Sequence, residues 1–528
     1  MLNFCHCEIK ELGYRLRGKL INKWISLGSE YTTDEKELAL DVTRKENIVN
    51  TVLGKNILPS YPMTILTVLQ TWEANQSNNT ATGSYGYLYE ELITRALREV
   101  SANATDVDTK YTYISRIAYY LFDNEQIGLD EHQLKEVNQE YFRLYRIHFH
   151  EEKMIQELEA SHILQRVEGI YRFKYKYIYY YFVARYFREN LNNKKEKTKL
   201  RKQLRDMVDK VYYEEYSNIL IFLVYLTKDR EIIERFMENA RKIYDEHEPC
   251  DLDRHVAFIN QMYKETLPLS LPATDLEENR DQYRQKLDEA EEEESAAQQS
   301  MDKREAEQLK IKYDKNLSDI FKINIALKTL DLMGQVLRNF PGSLLGDLKF
   351  QLTQESYQLV LRTLRAVFVV AEQSLTEMRT FYSQLIQERR GIKSDIELAR
   401  TTDELLIWLT IAAAYGMIKR VSHAVGIENL NETYREVLEH EGNKTSVSLI
   451  DLSIKLDHFS ALPEVEIRAL HKKLRDNRFA YTILRDLVAN YMYLFPLDQR
   501  TRQSIGALLD IKISDPKYLD NESKKLKP

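Results

Sequence analysis

The stretch 163–187, ILQRVEGIYRFKYKYIYYYFVARYF, decides the fold of the first half of the chain. Short apolar runs stand on either side of Glu168 and Gly169, and this pattern predicts two strands joined by a tight turn. The aromatic run that follows has helical spacing, which predicts a helix directly after the second strand. The stretch therefore predicts a β-hairpin that leads into a helix.

Three helical patterns precede this hairpin, in YTYISRIAYYLF, HQLKEVNQEYFRLY and EEKMIQELEAS. Helix, helix, helix and hairpin is the element order of a winged helix, so we expect a winged-helix domain over residues 108–190. The residues expected to form its core are Ile117, Leu121, Leu134, Tyr141, Ile155, Leu158 and Phe173.

The composition predicts a mainly α fold. The chain has 528 residues, of which 43% are hydrophobic and 30% charged, enough for several buried cores. It has only 16 glycines and 10 prolines, which are low numbers for turn-rich sheets or phosphate-binding loops. We therefore expect an amino-terminal helical subdomain, a winged-helix domain with a short β-hairpin, and a carboxyl-terminal helical bundle.

The expected domains follow from shifts in this pattern along the chain. They are a helical subdomain (1–107), the winged helix (108–190), a helical region (191–270), an acidic linker or exposed helix (271–315) and a helical bundle (316–528). The acidic segment has almost no large apolar side chains and can bury little surface.

In the last domain, apolar residues recur at helical spacing from Leu361 to Leu385 and predict one continuous helix of about 25 residues. A long apolar seam must be buried. Short connections favour antiparallel neighbours, so we expect residues 317–340 and 405–418 to cover it within one chain.

Charge and targeting signals argue against several classes. The net charge of −7 gives no overall attraction to nucleic acid or anionic membranes. Three cysteines cannot form a disulfide framework, and the longest apolar run, residues 405–418, is shorter than the roughly 20 residues that span a bilayer. We expect a cytoplasmic protein, a buried helix at 405–418 and no membrane contact.

Two motifs resemble bacterial NACHT-like STAND proteins, which are signalling NTPases. YRFKYKYIYYYFVARYF resembles the end of their winged helix, with Phe173, Tyr181, Phe182 and Ala184 in register. LPSYPMTILTVL resembles their proline motif after the Walker module, with Pro62 in the place of the proline that packs on adenine. CEIKELGYRLRGKLINKW looks like the start of their helical lid, so the resemblance implies a helical lid-like subdomain over residues 1–107 and a sensor or interaction role for the helical bundle at 316–528.

The resemblance implies a regulatory switch with a weak nucleotide contact at Pro62 and Tyr175. Tyr175 stands where the family often has a histidine near the β-phosphate, and tyrosine offers a hydrogen bond but no positive charge at neutral pH. The resemblance also implies prokaryotic signalling or antiphage defence, with a protein trigger or ligand that the sequence does not identify.

The sequence contains neither a Walker A nor a Walker B motif, so we expect no enzyme activity, no catalytic residues and no cofactor in this chain. ATP or ADP is expected only with a partner ATPase core, in cis or in trans. A truncated gene product, a split system and a mis-assigned start are all compatible with such a core lying elsewhere.

Three further patterns imitate functional sites. GYRLRGKL, residues 13–20, has the spacing of a phosphate loop but carries leucine in place of the magnesium-binding hydroxyl. Cys5, His6 and Cys7 with His148 and His150 do not have the spacing of a common zinc site, so no metal is expected. Residues 291–294 are four consecutive glutamates that predict a solvated charge run.

Two other functions remain open, a helical protein-interaction scaffold and a winged-helix DNA-binding protein. The candidate recognition helix, residues 150–160, carries four glutamates and one lysine, and carboxylates repel phosphates. The hairpin and the run 194–205 are basic. DNA is therefore a disfavoured partner, although local phosphate affinity stays open.

Overall fold

The computed structural model describes residues 10–28, 35–53, 58–77, 86–101, 104–263, 269–271, 275–308, 319–390, 394–459 and 461–513. These residues form 22 α-helices, one short 3-10 helix and four strands of three or four residues. The prediction of a mainly α fold is confirmed.

The first half of the chain holds eleven helices and one hairpin. In order these are α1 (Tyr14–Gly28), α2 (Glu35–Leu53), α3 (Pro62–Ser77), α4 (Gly86–Glu99), α5 (Ala104–Asp123), α6 (Glu131–Tyr145), α7 (Glu151–Ala160), β1 (Leu164–Val167), β2 (Ile170–Phe173), α8 (Lys176–Asn190), α9 (Lys197–Asp209), α10 (Glu214–Thr227) and α11 (Arg230–Lys242).

The second half is helical apart from two short strands. Its elements are α12 (Ala257–Asn260), β3 (Leu269–Leu271), α13 (Leu276–Gln308), α14 (Asp319–Asn339), α15 (Gly346–Gln373), α16 (Leu375–Arg390), α17 (Asp395–Val425), a 3-10 turn (Glu428–Leu430), α18 (Asn431–His440), α19 (Thr445–His458), α20 (Glu464–Lys473), α21 (Arg478–Leu494), α22 (Gln499–Leu508) and β4 (Ile511–Ile513). Strands β3 and β4 pair in parallel.

The chain divides into two compact units. Unit 1 comprises residues 1–12, 45–239 and 338–343, and unit 2 comprises residues 13–44, 240–337 and 344–528. Helix α1, which the sequence placed in the lid-like subdomain, belongs to unit 2 and packs there against α13. The domain boundaries expected from the sequence stay predictions.

The core of unit 1 is built around α8, which packs against α5 and α10. Tyr181 and Phe182 on α8 are fully buried. The Phe182 ring lies 5.3 Å from the Tyr111 ring of α5, and the Tyr181 ring lies 5.9 Å from the Phe222 ring of α10. Aromatic side chains bury more area than other residues and form favourable edge contacts, so this cluster carries much of the stability of the unit.

In unit 2, helix α15 is anchored by a buried arginine. The Arg362 guanidinium donates to the carbonyl of Ala240 at 2.9 Å and to that of Ile243 at 3.2 Å, and it pairs with Glu355 at 2.7 Å. The carbonyls at the end of a helix have no partner within the helix. Arg362 therefore satisfies the end of α11 while Glu355 balances its charge.

The prediction of one continuous helix from Leu361 to Leu385 is wrong. Helix α15 ends at Gln373, and Ser374 takes φ −94° and ψ 8°, which is outside helical geometry. The seam is buried as far as Phe368, but Leu375 and Leu385 are only half-buried. Both α15 and α16 pack against α17, which contains residues 405–418. The helix that we expected to cover one long helix therefore covers two shorter ones.

Helix α17 is long and apolar enough, by length and composition, to cross a membrane, and among the described residues it is the one helix that meets this test. Buried helices of soluble proteins meet it too. Leu406, Ile411 and Ile418 are buried, whereas Trp408 is 57% exposed. The expectation of a buried helix therefore holds for one face of α17.

Replacing Phe368 by alanine is expected to destabilise the protein by about 3–5 kcal/mol, because the ring is fully buried and packs edge-on against Phe479 at 5.9 Å. Val370→Ala on the same helix is the matched control, since Val370 is 49% exposed and its loss is expected to cost about 0.5 kcal/mol or less. Urea unfolding of both variants measures the difference. Equal costs would contradict the assigned burial.

A second prediction concerns pH. Burial raises the pKa of Asp486 on α21 from its ordinary 3.8 to about 6, against the opposing influence of Arg485. The folded protein then binds more protons than the unfolded chain between these values, so this residue lowers the free energy of unfolding as the pH rises from about 4 to 6. Asp486→Asn is expected to gain at most about 3 kcal/mol over wild type at pH 7 and nothing at pH 4. Urea titrations at both pH values measure this, and a gain that is independent of pH would refute it.

Candidate functional site

The hairpin turns at Glu168 and Gly169, as the sequence predicted. Leu164 pairs with Phe173 and Val167 with Ile170 in an antiparallel register. Glu168 has φ 52° and Gly169 has φ 82°. Two central residues with positive φ are the requirement of a tight two-residue turn whose twist matches the strands.

A third extended segment joins the hairpin to the start of α6. The backbone of Leu129 donates to the carbonyl of Tyr171 at 2.9 Å and accepts from its amide at 2.8 Å. Gly128 allows this approach, because a Cβ there would lie 2.5 Å from Ile170 Cγ2 and 2.9 Å from the Tyr171 carbonyl oxygen. The hairpin is thus part of a small sheet closed by the loop before α6.

The next residue, Asp130, begins α6 with a reciprocal cap. Its carboxylate accepts from the amide of Gln133 at 2.8 Å, and the Gln133 side chain accepts from the amide of Asp130 at 3.0 Å. Both bonds satisfy amides that have no partner inside the helix. Leu129, which pairs with the hairpin, and Asp130, which begins α6, are consecutive residues. The position of the hairpin is therefore fixed relative to the start of α6.

The expected core of this region is largely observed. Ile117, Leu121, Leu134, Tyr141, Ile155 and Leu158 are buried. Phe173 is only half-buried, so its prediction as a core residue is wrong. It shares a face of β2 with the buried Tyr171, but it lies where the strand ends and the chain turns into α8. The inward position is taken by Tyr171.

Tyr175 occupies the capping position before α8 and makes no side-chain cap. Its ring lies 6.0 Å from the Tyr177 ring, and the Lys174 ammonium is 5.9 Å from its centre. Partial burial raises the pKa of Tyr175, and the phenol of Tyr61 adds to that increase. Tyr175 and Tyr61 are therefore close enough to interact electrostatically.

Pro62 begins α3 directly after Tyr61, as the sequence predicted, and it is exposed. Pro62 is thus the sequence neighbour of Tyr61, whose phenol influences the pKa of Tyr175. Sequence reasoning missed Tyr61 and Lys174. Their adjacency to Pro62 and Tyr175 along the chain was the available signal.

A buried lysine connects the helices below the hairpin. Lys110 on α5 is fully buried and pairs with Asp106 at 2.5 Å and with Glu157 of α7 at 2.9 Å. Glu151 at the other end of α7 accepts from Asn138 at 2.7 Å. Two of the glutamates of the candidate recognition helix therefore hold the unit together.

The patterns that imitate other sites have structural explanations. Residues 14–20 lie inside α1, which is helical where a phosphate loop needs a strand and an open turn. Glu291 of α13 pairs with Arg17 at 3.4 Å. Cys5, His6 and Cys7 lie outside the described residues. Within the part of the chain that the structure describes, no histidine, cysteine or carboxylate cluster is arranged to hold a metal ion.

Comparison with known proteins supports one relation. The family model described as Novel STAND NTPase 4 matches residues 128–183. The match begins at the loop that pairs with the hairpin, covers α6, α7 and both strands, and includes Tyr175 and most of the buried part of α8. Pro62 lies outside it. No curated protein and no solved structure matches the chain. The region around the hairpin is thus similar to STAND-type NTPases.

Replacing Lys110 by methionine is expected to cost about 2–4 kcal/mol of folding stability, because it leaves the carboxylates of Asp106 and Glu157 without their buried cation. Lys153→Met is the matched control, since Lys153 also approaches Glu157, at 3.7 Å, but is 68% exposed. We expect that exposed pair to contribute less than about 1 kcal/mol. Denaturant unfolding compares the two variants, and similar losses would rule out the central role of Lys110.

Proposed function

We propose that this chain is the regulatory and sensor region of a STAND-type signalling NTPase and works with an ATPase core that lies elsewhere in the same protein or in a partner. The observation that carries the proposal is the match of residues 128–183 to a STAND NTPase family. It falls on the segment that the sequence had singled out for the same resemblance.

The element order around the match supports a winged-helix domain. Helices α5, α6 and α7 precede the hairpin, and Leu129 pairs with Tyr171 of the hairpin as an isolated antiparallel bridge. Helix α8 then follows the hairpin without a linker. In this proposal the winged helix is the rigid element that responds to nucleotide state.

The neighbourhood of Tyr61, Pro62 and Tyr175 would form the edge of a nucleotide site completed by the ATPase core. Proline and aromatic faces suit a planar base. The Tyr175 hydroxyl can donate one hydrogen bond to a phosphate oxygen, and Lys174 places a positive charge beside it. These groups provide contact without hydrolysis, because nothing among them activates water or binds magnesium.

The helices of unit 2 would carry the sensor function. Their trigger, a protein or another ligand, is left open, and so are the effector and the oligomeric state. By resemblance the proposed setting is prokaryotic signalling or antiphage defence in the cytoplasm.

Two other functions rank lower. A helical interaction scaffold accounts for the helices of unit 2 but not for the family match. A winged-helix protein that reads DNA bases through α7 is disfavoured, because Glu151 and Glu152 are exposed on that helix and carboxylates repel the phosphate backbone.

The proposal predicts a Walker-containing open reading frame in frame with, or adjacent to, the coding sequence of this chain. Sequencing the surrounding DNA tests this directly. A locus without any such reading frame would contradict the proposal and favour the scaffold.

The isolated chain is expected to show no ATP turnover above a purified blank and to bind ADP more weakly than about 1 mM, since one hydrogen bond and an aromatic platform give little affinity. Calorimetry and a phosphate-release assay measure both quantities. Submillimolar ADP binding, or turnover that copurifies with the chain, would refute the assignment.

When an ATPase core is supplied, Tyr175→Phe should weaken ADP binding by about 3–10-fold, which corresponds to the removal of one hydrogen bond. Tyr120→Phe, an exposed hydroxyl on α5 bonded to Glu136 at 3.0 Å, is the control and should leave ADP affinity unchanged. Equal ADP affinity of wild type and Tyr175→Phe would remove Tyr175 from the site.

A further inference from the structure

A basic ridge crosses the loop before α9 and the exposed face of that helix in unit 1. Its members are exposed cations, and the structure gives none of their side chains a carboxylate partner; they are Lys194, Lys195, Lys197, Lys202 and Arg205. The run belongs to a chain of net charge −7. Positive charge is therefore concentrated here against the overall balance.

Nearby acidic groups neutralise the ridge only in part. Glu196 accepts from the Tyr186 hydroxyl at 2.5 Å, and Asp123 pairs with Lys199 at 2.5 Å. Asp209 accepts from Arg235 at 3.2 Å. Asp206 is exposed on α9 and is the one carboxylate in this helix that faces solvent without a described partner. Five free cations thus face two carboxylates that have no described cation partner, those of Glu196 and Asp206.

The local arrangement costs folding energy. Helix α9 has no acidic residue in its first turn, and Glu196 makes no side-chain cap. Lys194, Lys195 and Lys197 lie in sequence at the positive end of the helix dipole, where cations are unfavourable. A surface that departs from the rules of helix stability is a candidate functional site.

The chemistry of the ridge selects among anionic partners. Leu200, Met207 and Val208 of α9 are buried and Leu204 is half-buried, so no fully exposed apolar side chain of this helix remains for insertion into a membrane. Protein interfaces are depleted in lysine and enriched in aromatic residues, whereas four of these five cations are lysines. Lysine point charges on a polar ridge fit a phosphodiester backbone.

We propose that the ridge formed by Lys194, Lys195, Lys197, Lys202 and Arg205 binds the phosphate backbone of nucleic acid without reading its sequence. The ridge spans roughly 12 Å along α9, at 1.5 Å per residue, and a duplex presents one charge per about 1.7 Å. It can therefore meet several phosphates at once. This contact uses neither α7 nor base edges, and it is independent of the proposed nucleotide site.

Fluorescence anisotropy of the full chain with labelled duplex DNA, duplex RNA and single strands of mixed sequence tests the proposal. We expect a Kd below about 100 µM near physiological salt, similar values for different sequences, and a steep decrease of affinity with added salt. The DNA and RNA arms identify the preferred backbone. No binding of any strand at low salt would overturn the proposal.

The variant Lys195→Glu/Lys202→Glu/Arg205→Glu should weaken binding at least tenfold and flatten the salt dependence of log K by about 0.9 for each phosphate that the protein no longer neutralises. Circular dichroism checks its fold, and the corresponding triple serine variant replaces it if charge reversal unfolds the protein. Loss of binding in the serine variant supports the proposal, and full binding refutes it.

The control carries the same change of net charge at other exposed positions, Lys135→Glu, Lys472→Glu and Arg475→Glu. It should weaken binding less than about threefold. Equal weakening by both triple variants would show a long-range charge effect and refute a localised site. Vesicles with one-third phosphatidylserine form the membrane arm, and vesicle binding that displaces nucleic acid at equal phosphate concentration would also refute the proposal.

Discussion

The structure of unit 1 depends on the burial of helix α8. The sequence after the hairpin is crowded with aromatic residues, and α5 and α10 cover them from two sides. Tyr186 illustrates the arrangement, because its ring stacks on Tyr119 of α5 at 3.9 Å while its hydroxyl accepts from Arg116 at 2.6 Å. The hairpin continues directly into α8, and α7 is tied to α5 through the ion pair of Glu157 with Lys110. The candidate site lies where α8 begins.

Much of this fold could be predicted because its signals are local. The turn at Gly169, the start of α3 at Pro62 and the helical periodicities each depend on a few consecutive residues. The pairing of Leu129 with Tyr171, the break at Ser374 and the grouping of α1 with α13 could not be predicted, since each depends on residues distant in sequence. Phe173 was predicted to be buried but is only half-buried. The alternation of residues along a strand shows which face of the strand a side chain occupies, but it does not show where the strand leaves the core.

The candidate site shows the same division. Order along the chain was enough to select Pro62 and Tyr175, but the approach of Tyr61 to Tyr175 exists only in the folded unit. The role of Lys110 was hidden, since a lysine in a helical pattern normally indicates a solvated face. Its burial between Asp106 and Glu157 depends on the packing of α7 onto α5, which no local pattern encodes.

Helix α8 is held in a fixed register by hydrogen bonds to the two helices that cover it. Two of its tyrosines hold partners on the neighbouring helices: the half-buried Tyr179 donates to Glu215 of α10 at 2.7 Å, and the buried Tyr186 accepts from Arg116 of α5. Sliding the helix by even one turn would break these bonds inside the core. A displacement imposed at Tyr175 would therefore not be absorbed along α8, and it would be transmitted to α5 and α10 as a movement of the whole bundle.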